Sequence, residues 1–248
     1  MSEIPVSGGA VAGEMIADLA AASRILAAQG VVDGFGHVSM RHPEAPERYL
    51  LSRSMAPALV TPDDIIEYDL ASNACNAAGR GGFLERFIHG ELYRARPDVM
   101  AVVHSHSPSV IPFGLVSAKM HAMFHNAGFL AAGVPVFDIS EKFGATDMLV
   151  SDGIKGVALA DTLGGKHVAL MRGHGSVACG PTLQMAVFRA AYTEVNARIQ
   201  HWTNALGGDE PVAALSAEEG VLADVPNQAA SLRAWNLWRT ALSAQVDW

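Results

Sequence analysis

Cysteine is nearly absent from this chain: Cys75 and Cys179 are the only two. They stand far apart and outside any CxxC or CxxH spacing, which argues against a disulfide framework or a thiolate zinc site and fits a reducing cytoplasm. Basic charge is short as well, with 17 Lys and Arg against 25 Asp and Glu and a formal charge of −8. A duplex-binding face needs clustered Lys and Arg to neutralise phosphates, so no nucleic-acid partner is expected. No run reaches the roughly 20 apolar residues of a membrane span. The first 30 residues carry acidic side chains and no uninterrupted apolar core, which argues against a signal peptide. Internal repeats are lacking too. With 248 residues, half of them hydrophobic, the expectation is one cytoplasmic domain over 1–248 with a single large core.

Periodicity sets out the elements. From Glu14 to Gln29 the residues Met15, Ile16, Leu19, Ile25 and Leu26 recur at helical spacing, and Gly30 stands at the C-terminal cap. GFGHVSMRHP, RYLLSRS and IIEYDL read as strands of a small antiparallel meander, punctuated by Gly, Pro and Asp. SNACNAAGRGG is a loop. A helix begins near Gly82 and carries Leu84, Phe87, Ile88 and Leu92, leading into the strand VMAVVHSHS. Further on, VPVFDI predicts a strand, GIKGVALADTLGG a helix, HVALMRGHGSVACG two strands about a glycine-flanked turn, and 181–207 a long helix. The segment of about 209–248 reads as a helical extension: a polar, acidic loop, DEPVAALSAEEGVLADVPNQ, then a Trp-bearing helix.

Chemistry concentrates in the histidines. Strand residues i and i+2 share a face, so His104 and His106 of AVVHSHSPSV point the same way at a spacing that suits chelation. Taken alone, HSH equally describes two polar strand-end residues with water or backbone partners. His174, between Gly173 and Gly175, adds a third imidazole on a tight turn. Three imidazoles leave open positions on a divalent ion, as a catalytic site requires. Glu85, in the first turn of its helix, suits the helix dipole, and a carboxylate there also serves as general acid or base beside a metal-held substrate. His89, one turn on, is expected to pack or hydrogen-bond locally. His121 and His125, spaced as an i, i+4 pair, are either substrate contacts or packing residues. His42, His167 and His201 lack supporting context and read as structural or exposed, and Tyr192 and Glu194 on the long helix as interface or core.

The string FLERFIHGELYRARPDVMAVVHSHSPSV, followed some seventy residues later by RGHGSVACG, resembles the class II aldolase/adducin family, and the resemblance runs from the opening helix to about Gly207. It implies an α/β fold, an α/β/α sandwich around a mixed, largely antiparallel sheet. It also implies a divalent ion held by His104, His106 and His174, Glu85 as acid/base, and a homotetramer with active sites at subunit interfaces.

The sugar-phosphate members of that family show a GN-x-S turn and a Ser-Ser-Glu stretch that cradle phosphate. Here GHVS puts His37 in place of the Asn, and GGFLE replaces the paired serines. Arg53 and Arg80, with Ser52 beside the first, suggest instead an unphosphorylated carboxylate, which guanidinium binds bidentately; the alternative is that both are solvated surface arginines. His37 becomes a substrate-contact candidate. FGHVSMRHP, LLSRS, HSHSPSVIPFG and MFHNAGFL bring the chain nearest to the family's decarboxylase branch, which acts on hydroxylated aromatic or heteroaromatic dicarboxylates. The implied reaction is loss of CO₂ through a metal-stabilised enolate, in aromatic compound catabolism. The alternatives are an aldolase acting on a small aldehyde or pyruvate, and a non-catalytic adducin-like scaffold. Imidazole ligands leave the ion open: the decarboxylase resemblance leans to Mn²⁺, the aldolase resemblance to Zn²⁺, with Co²⁺ or Fe²⁺ also accommodated.

Overall fold

The structure, a computed structural model, describes residues 4–208 and 210–243. Residues 1–3, Asp209 and 244–248, which include the end of the expected C-terminal helix, lie outside the described residues.

Seven strands form one sheet: β1 (His37–Arg41), β2 (Arg48–Ser52), β3 (Ile65–Asp69), β4 (Ala101–Ser105), β5 (Val136–Phe137), β6 (Val168–Met171) and β7 (Gly175–Gly180). Their order is β3-β2-β1-β4-β7-β6-β5, with every pairing antiparallel except the edge pair β5 and β6. This is the mixed, largely antiparallel sheet expected, and the meander β1-β2-β3 is among its parts. The helices are α1 (Gly13–Ala28), α2 (Phe87–Ala95), α3 (Ile139–Phe143), α4 (Gly153–Leu163), α5 (Leu183–Gly207) and α6 (Ala217–Ser243).

Strand alternation sends neighbouring side chains to opposite faces, and two apolar clusters follow. Val38, Met40, Leu50, Ala101, Val103, Val168, Leu170 and Ala178 join Leu19, Ile25 and Leu26 of α1 and Val187 and Phe188 of α5 on one face, with Trp235 of α6. Tyr49, Leu51, Ile66, Val102, Val177 and Cys179 meet Ile88 and Leu92 of α2 and Leu159 and Leu163 of α4 on the other. Each fully buried aliphatic contributes about 1.5–3 kcal/mol of transfer free energy. The result is a three-layer α/β/α sandwich. Gly156 permits the close approach of α4 to α2, since a Cβ there would stand 2.7 Å from the Phe87 carbonyl oxygen. Parity carries the consequence for function: His37 and Ser39 of β1 and His104 of β4 occupy the α2 face, and His37 pairs with His104 across the ladder.

Two local expectations are corrected. The loop assigned to 209–228 gives way to α6 from Ala217 on, through Pro226. Its start is a capping box: the Glu219 amide donates to Ser216 Oγ at 3.1 Å and the Ser216 amide to Glu219 Oε2 at 2.8 Å. The strand VPVFDI shrinks to Val136–Phe137, because Asp138 caps α3 by accepting from the Ser140 amide at 2.9 Å.

Candidate metal centre and active site

Three different pieces of chain deliver the imidazoles. His104 is the penultimate residue of β4, His106 follows the strand, and His174 sits on the turn between β6 and β7, where Gly173 has φ of +63°. Gly175 crosses directly against the Ser105 carbonyl, leaving no room for a Cβ, so the turn lies on the HSH segment. The Nε2 atoms of His104 and His106 are 3.1 Å apart, and those of His174 and His106 are 3.0 Å apart. Glu85 Oε2 completes the group, 3.5 Å from His104 Nε2 and 3.4 Å from His174 Nε2.

Glu85 reaches this position by a route other than the one expected. It does not lie in the first turn of an α-helix; it occupies a 3₁₀ turn over Leu84–Arg86, with φ −91° and ψ 18°, just before α2. The Val150 amide donates to Glu85 Oε1 at 3.0 Å, which fixes the carboxylate and leaves Oε2 facing the histidines. Burial opposes its charge, but hydrogen bonds and attraction from His104 and His174 outweigh burial and hold the carboxyl well below the usual carboxylate range. Burial, with repulsion from its two imidazole neighbours, lowers His106 to about 4.

These four groups fit a cation on the chemistry of the donors. His104 Nδ1 lies 3.1 Å from the Ser176 carbonyl, which can only accept, so a neutral His104 carries its proton on Nδ1 and a lone pair on Nε2. In that form Nε2 has no proton to offer Glu85 and its lone pair crowds His106, so the attraction that keeps the carboxylate ionised requires positive charge between the donors. A ring whose second nitrogen donates to a carbonyl is also the usual setting of a metal-ligating histidine. Ligand atoms around a tetrahedral ion with bonds of about 2.0–2.1 Å stand about 3.3–3.5 Å apart, close to the observed separations. His174 has no such partner among the described residues: its Nδ1 is buried and unpaired, and its ring rests on the turn and against His104 and His106.

A cavity of about 350 Å³ opens onto this cluster, lined by His37, Glu85 and His106 and walled by Phe35, Met55, Phe83, Leu84 and Leu149. The apolar wall was not anticipated from the sequence; Phe35 in GFGH and Phe83 in GGFLE, each next to a residue already singled out, were the available signals. His37 is buried, its ring 5.1 Å from that of His104, and its Nδ1 contacts His89 Nε2 at 2.6 Å. The hydrogen bonds of His89 are not local: they reach His37 and Ser39 on β1.

The remaining candidates sit elsewhere. Arg80 is corrected: its guanidinium donates to the carbonyls of Ala77, Asp63, Ile65 and Asn76, so it clamps the 76–80 loop onto β3 and has little left for a carboxylate. Arg53 Nε is held 2.6 Å from Asp64 Oδ1, and Ser52 is buried in β2; neither lines the cavity. His121 and His125 are not a helical pair, because residues 121–124 form no helix and the next 3₁₀ turn starts at His125. Asn196 and Gln200 of α5 bind the backbone at His121, and Asn227 of α6 binds the His125 carbonyl, leaving both imidazoles exposed away from this cluster. Glu194 is buried, accepting from Ser107 Oγ at 2.8 Å.

An α/β/α sandwich presenting a three-histidine, one-glutamate cluster at strand ends defines the class of protein. The chain belongs to the class II aldolase and adducin N-terminal domain family, whose model matches residues 17–201. It is 34% identical over 235 residues to decarboxylase tropJ of Talaromyces stipitatus, covering 86% of this chain and 88% of that protein. It is 30% identical over 240 residues to the 3,4-dihydroxyphthalate decarboxylase of Arthrobacter keyseri, covering 91% of each. The fold matches the crystal structure of an aldolase II superfamily protein from Pseudomonas syringae with a TM-score of 0.78 at 21% identity, over 94% of this chain and 93% of that one. No helix among the described residues is long and apolar enough to cross a membrane.

Proposed function

We propose that this protein is a metal-dependent carbon–carbon lyase that decarboxylates a hydroxylated aromatic carboxylate. The observation that carries the reading is the cavity itself: apolar and aromatic walls for a flat ring, with Glu85 and His106 of the metal cluster at one end. Among the described residues its lining contains no lysine or arginine to hold a phosphate. Decarboxylase relatives at 30% identity or more, covering most of the chain, support the same reaction.

His104, His106 and His174 would hold the ion, Mn²⁺ or Zn²⁺ being the leading choices. When bound, it supplies a Lewis acid toward the oxygens of a ring hydroxyl and its neighbouring carboxylate. Phe35, Phe83 and Leu149 pack on the ring and exclude water. Once the ring carbon that bears the carboxyl group is protonated, its bond to the carboxyl carbon breaks, CO₂ leaves, and the electron pair restores the aromatic ring and comes to rest on the ortho oxygen as a phenolate. Glu85, kept ionised and oriented by the Val150 amide, takes the proton of the ring hydroxyl and returns it to the ring carbon, which balances the reaction. Phe35 and Leu84, 67% and 65% exposed, are apolar residues of this lining that support completion of the site by a neighbouring subunit in a homotetramer.

The test is a CO₂-release screen over ortho-hydroxy aromatic mono- and dicarboxylates, 3,4-dihydroxyphthalate included, using protein of measured metal content. CO₂ and a ring product lacking one carboxyl group are expected. Release of an aldehyde or pyruvate would instead identify an aldolase.

A further inference from the structure

Behind His37 runs a line of polar side chains that the metal cluster does not use. His37 Nδ1 lies 2.6 Å from His89 Nε2, His89 Nδ1 lies 2.6 Å from Ser39 Oγ, and Ser39 Oγ lies 2.7 Å from the Tyr93 hydroxyl. All four residues are buried, Ser39 and His89 completely. The line joins β1 to α2 through two periodicities: His37 and Ser39 share a strand face, and His89 and Tyr93 share a helix face.

Proton accounting gives the line a direction. Among the described residues, Ser39 Oγ is the only acceptor in reach of the Tyr93 hydroxyl. Leaving that buried proton unpaired would cost about 1–3 kcal/mol, so Tyr93 donates to Ser39. Ser39 has one proton of its own, and it goes to the remaining partner, His89 Nδ1. A ring that accepts at Nδ1 has no proton there, so it carries its proton on Nε2. His89 therefore donates to His37 Nδ1, and His37 in turn carries its proton on Nε2. The opposite direction would strand the Tyr93 proton. His37 Nε2 has no protein partner among the described residues, and the ring lines the cavity beside Glu85.

We infer that Tyr93, Ser39 and His89 lock His37 into the tautomer that presents Nε2–H to the cavity, where it donates to a carboxylate oxygen of the substrate. The tautomer stands on geometry alone; the carboxylate rests on the proposed function. Phosphate-free recognition then comes from one neutral donor of fixed polarity. His37 is the contact residue, and His89, Ser39 and Tyr93 are positioning residues.

Two measurements on the full-length zinc-loaded protein test this. In ¹⁵N-histidine-labelled protein, the His37 ring is expected to show its proton on Nε2, and Ser39→Ala to bring in the Nδ1-protonated form at unchanged zinc content; a wild-type proton on Nδ1 overturns the inference. Binding of salicylate and of catechol, which keeps the ring hydroxyls but lacks the carboxylate, supplies the second. His37→Phe is expected to weaken salicylate on the order of tenfold or more and to spare catechol. His37→Gln, which keeps a donor, retains salicylate binding, and His37→Met, which does not, loses it, so the result does not hang on one variant. Equal salicylate affinity in wild type, Phe and Met variants overturns the contact. Failure of the wild type to bind salicylate contradicts the proposed function and the ligand assigned to His37, while the ring proton is still decided by the nitrogen spectrum.

Discussion

His104 donates from Nδ1 to the carbonyl oxygen of Ser176 on the neighbouring strand, at 3.1 Å. A residue of β4 is thereby tied to the strand that follows the His174 turn, and its Nε2 lone pair is aimed at His106, His174 and Glu85. Removing any one imidazole leaves two of the three nitrogen ligands. His104→Ala, His106→Ala and His174→Ala are each expected to lose the bound divalent ion, measured by elemental analysis of purified protein. Full occupancy in any of the three would remove that residue from the ligand set.

Glu85→Gln keeps the shape of the side chain and its contact with the Val150 amide but removes the charge and the proton acceptor. Turnover is expected to fall about 10²–10⁴-fold with substrate binding largely kept, since the loss is of general acid–base work. Single-turnover CO₂ release alongside metal content separates this outcome from simple loss of the ion.

Gly175 is where β7 crosses the HSH segment, and a Cβ would collide with the Ser105 carbonyl. Gly175→Ala is expected to destabilise the fold by about 1–3 kcal/mol through overpacking and to weaken metal binding with it, because the atoms displaced lie between two ligands. Thermal melting with and without added Zn²⁺ reads both effects.

His89 is fully buried, and burial, reinforced by its imidazole neighbour His104, lowers it to about 3. Its unfolded value is about 6.5, so between pH 6.5 and 3 the unfolded chain binds a proton that the folded chain refuses. Stability therefore falls as pH falls through that window, by about 1.4 kcal/mol per pH unit from this group. Urea unfolding at pH 7 and pH 5 should show a shallower pH dependence for His89→Gln than for wild type; identical slopes would mean that His89 charges freely in the fold.

Arg80 spends its fork on backbone carbonyls. Arg80→Lys is accordingly expected to lower the melting temperature while leaving KM for a carboxylate substrate unchanged. A raised KM at unchanged stability would return Arg80 to the substrate site.

The reach of the sequence followed the range of the interactions. His104 and His106 were legible because strand spacing is local, and His174 because glycines flank it; the sheet came from alternation in the same way. The backbone role of Arg80 was not legible, because the four carbonyls that converge on it come from two separated stretches of chain, and a loop arginine carries no local sign of them. Glu85 sits where expected, but on a 3₁₀ turn, because the Val150 amide that fixes it lies 65 residues away. The line from His37 to Tyr93 was half visible, as an i, i+2 pair on a strand and an i, i+4 pair on a helix. Only the packing of α2 on β1 joined the halves. Ser216 and Glu219 formed a readable capping box, obscured by Pro226 and the polar residues around it.

On the proposed function, the histidine cluster holds an ion that this protein needs in order to remove CO₂ from a hydroxylated aromatic carboxylate. The direct measurement follows labelled CO₂ from carboxyl-labelled 3,4-dihydroxyphthalate or a related ortho-hydroxy carboxylate that passes the screen, before chelation, after chelation, and after Mn²⁺ or Zn²⁺ is restored. Release that stops on chelation and returns with the ion is the predicted result. Undiminished release from protein shown by elemental analysis to be metal-free, or no release from any such acid by fully loaded protein, would contradict it.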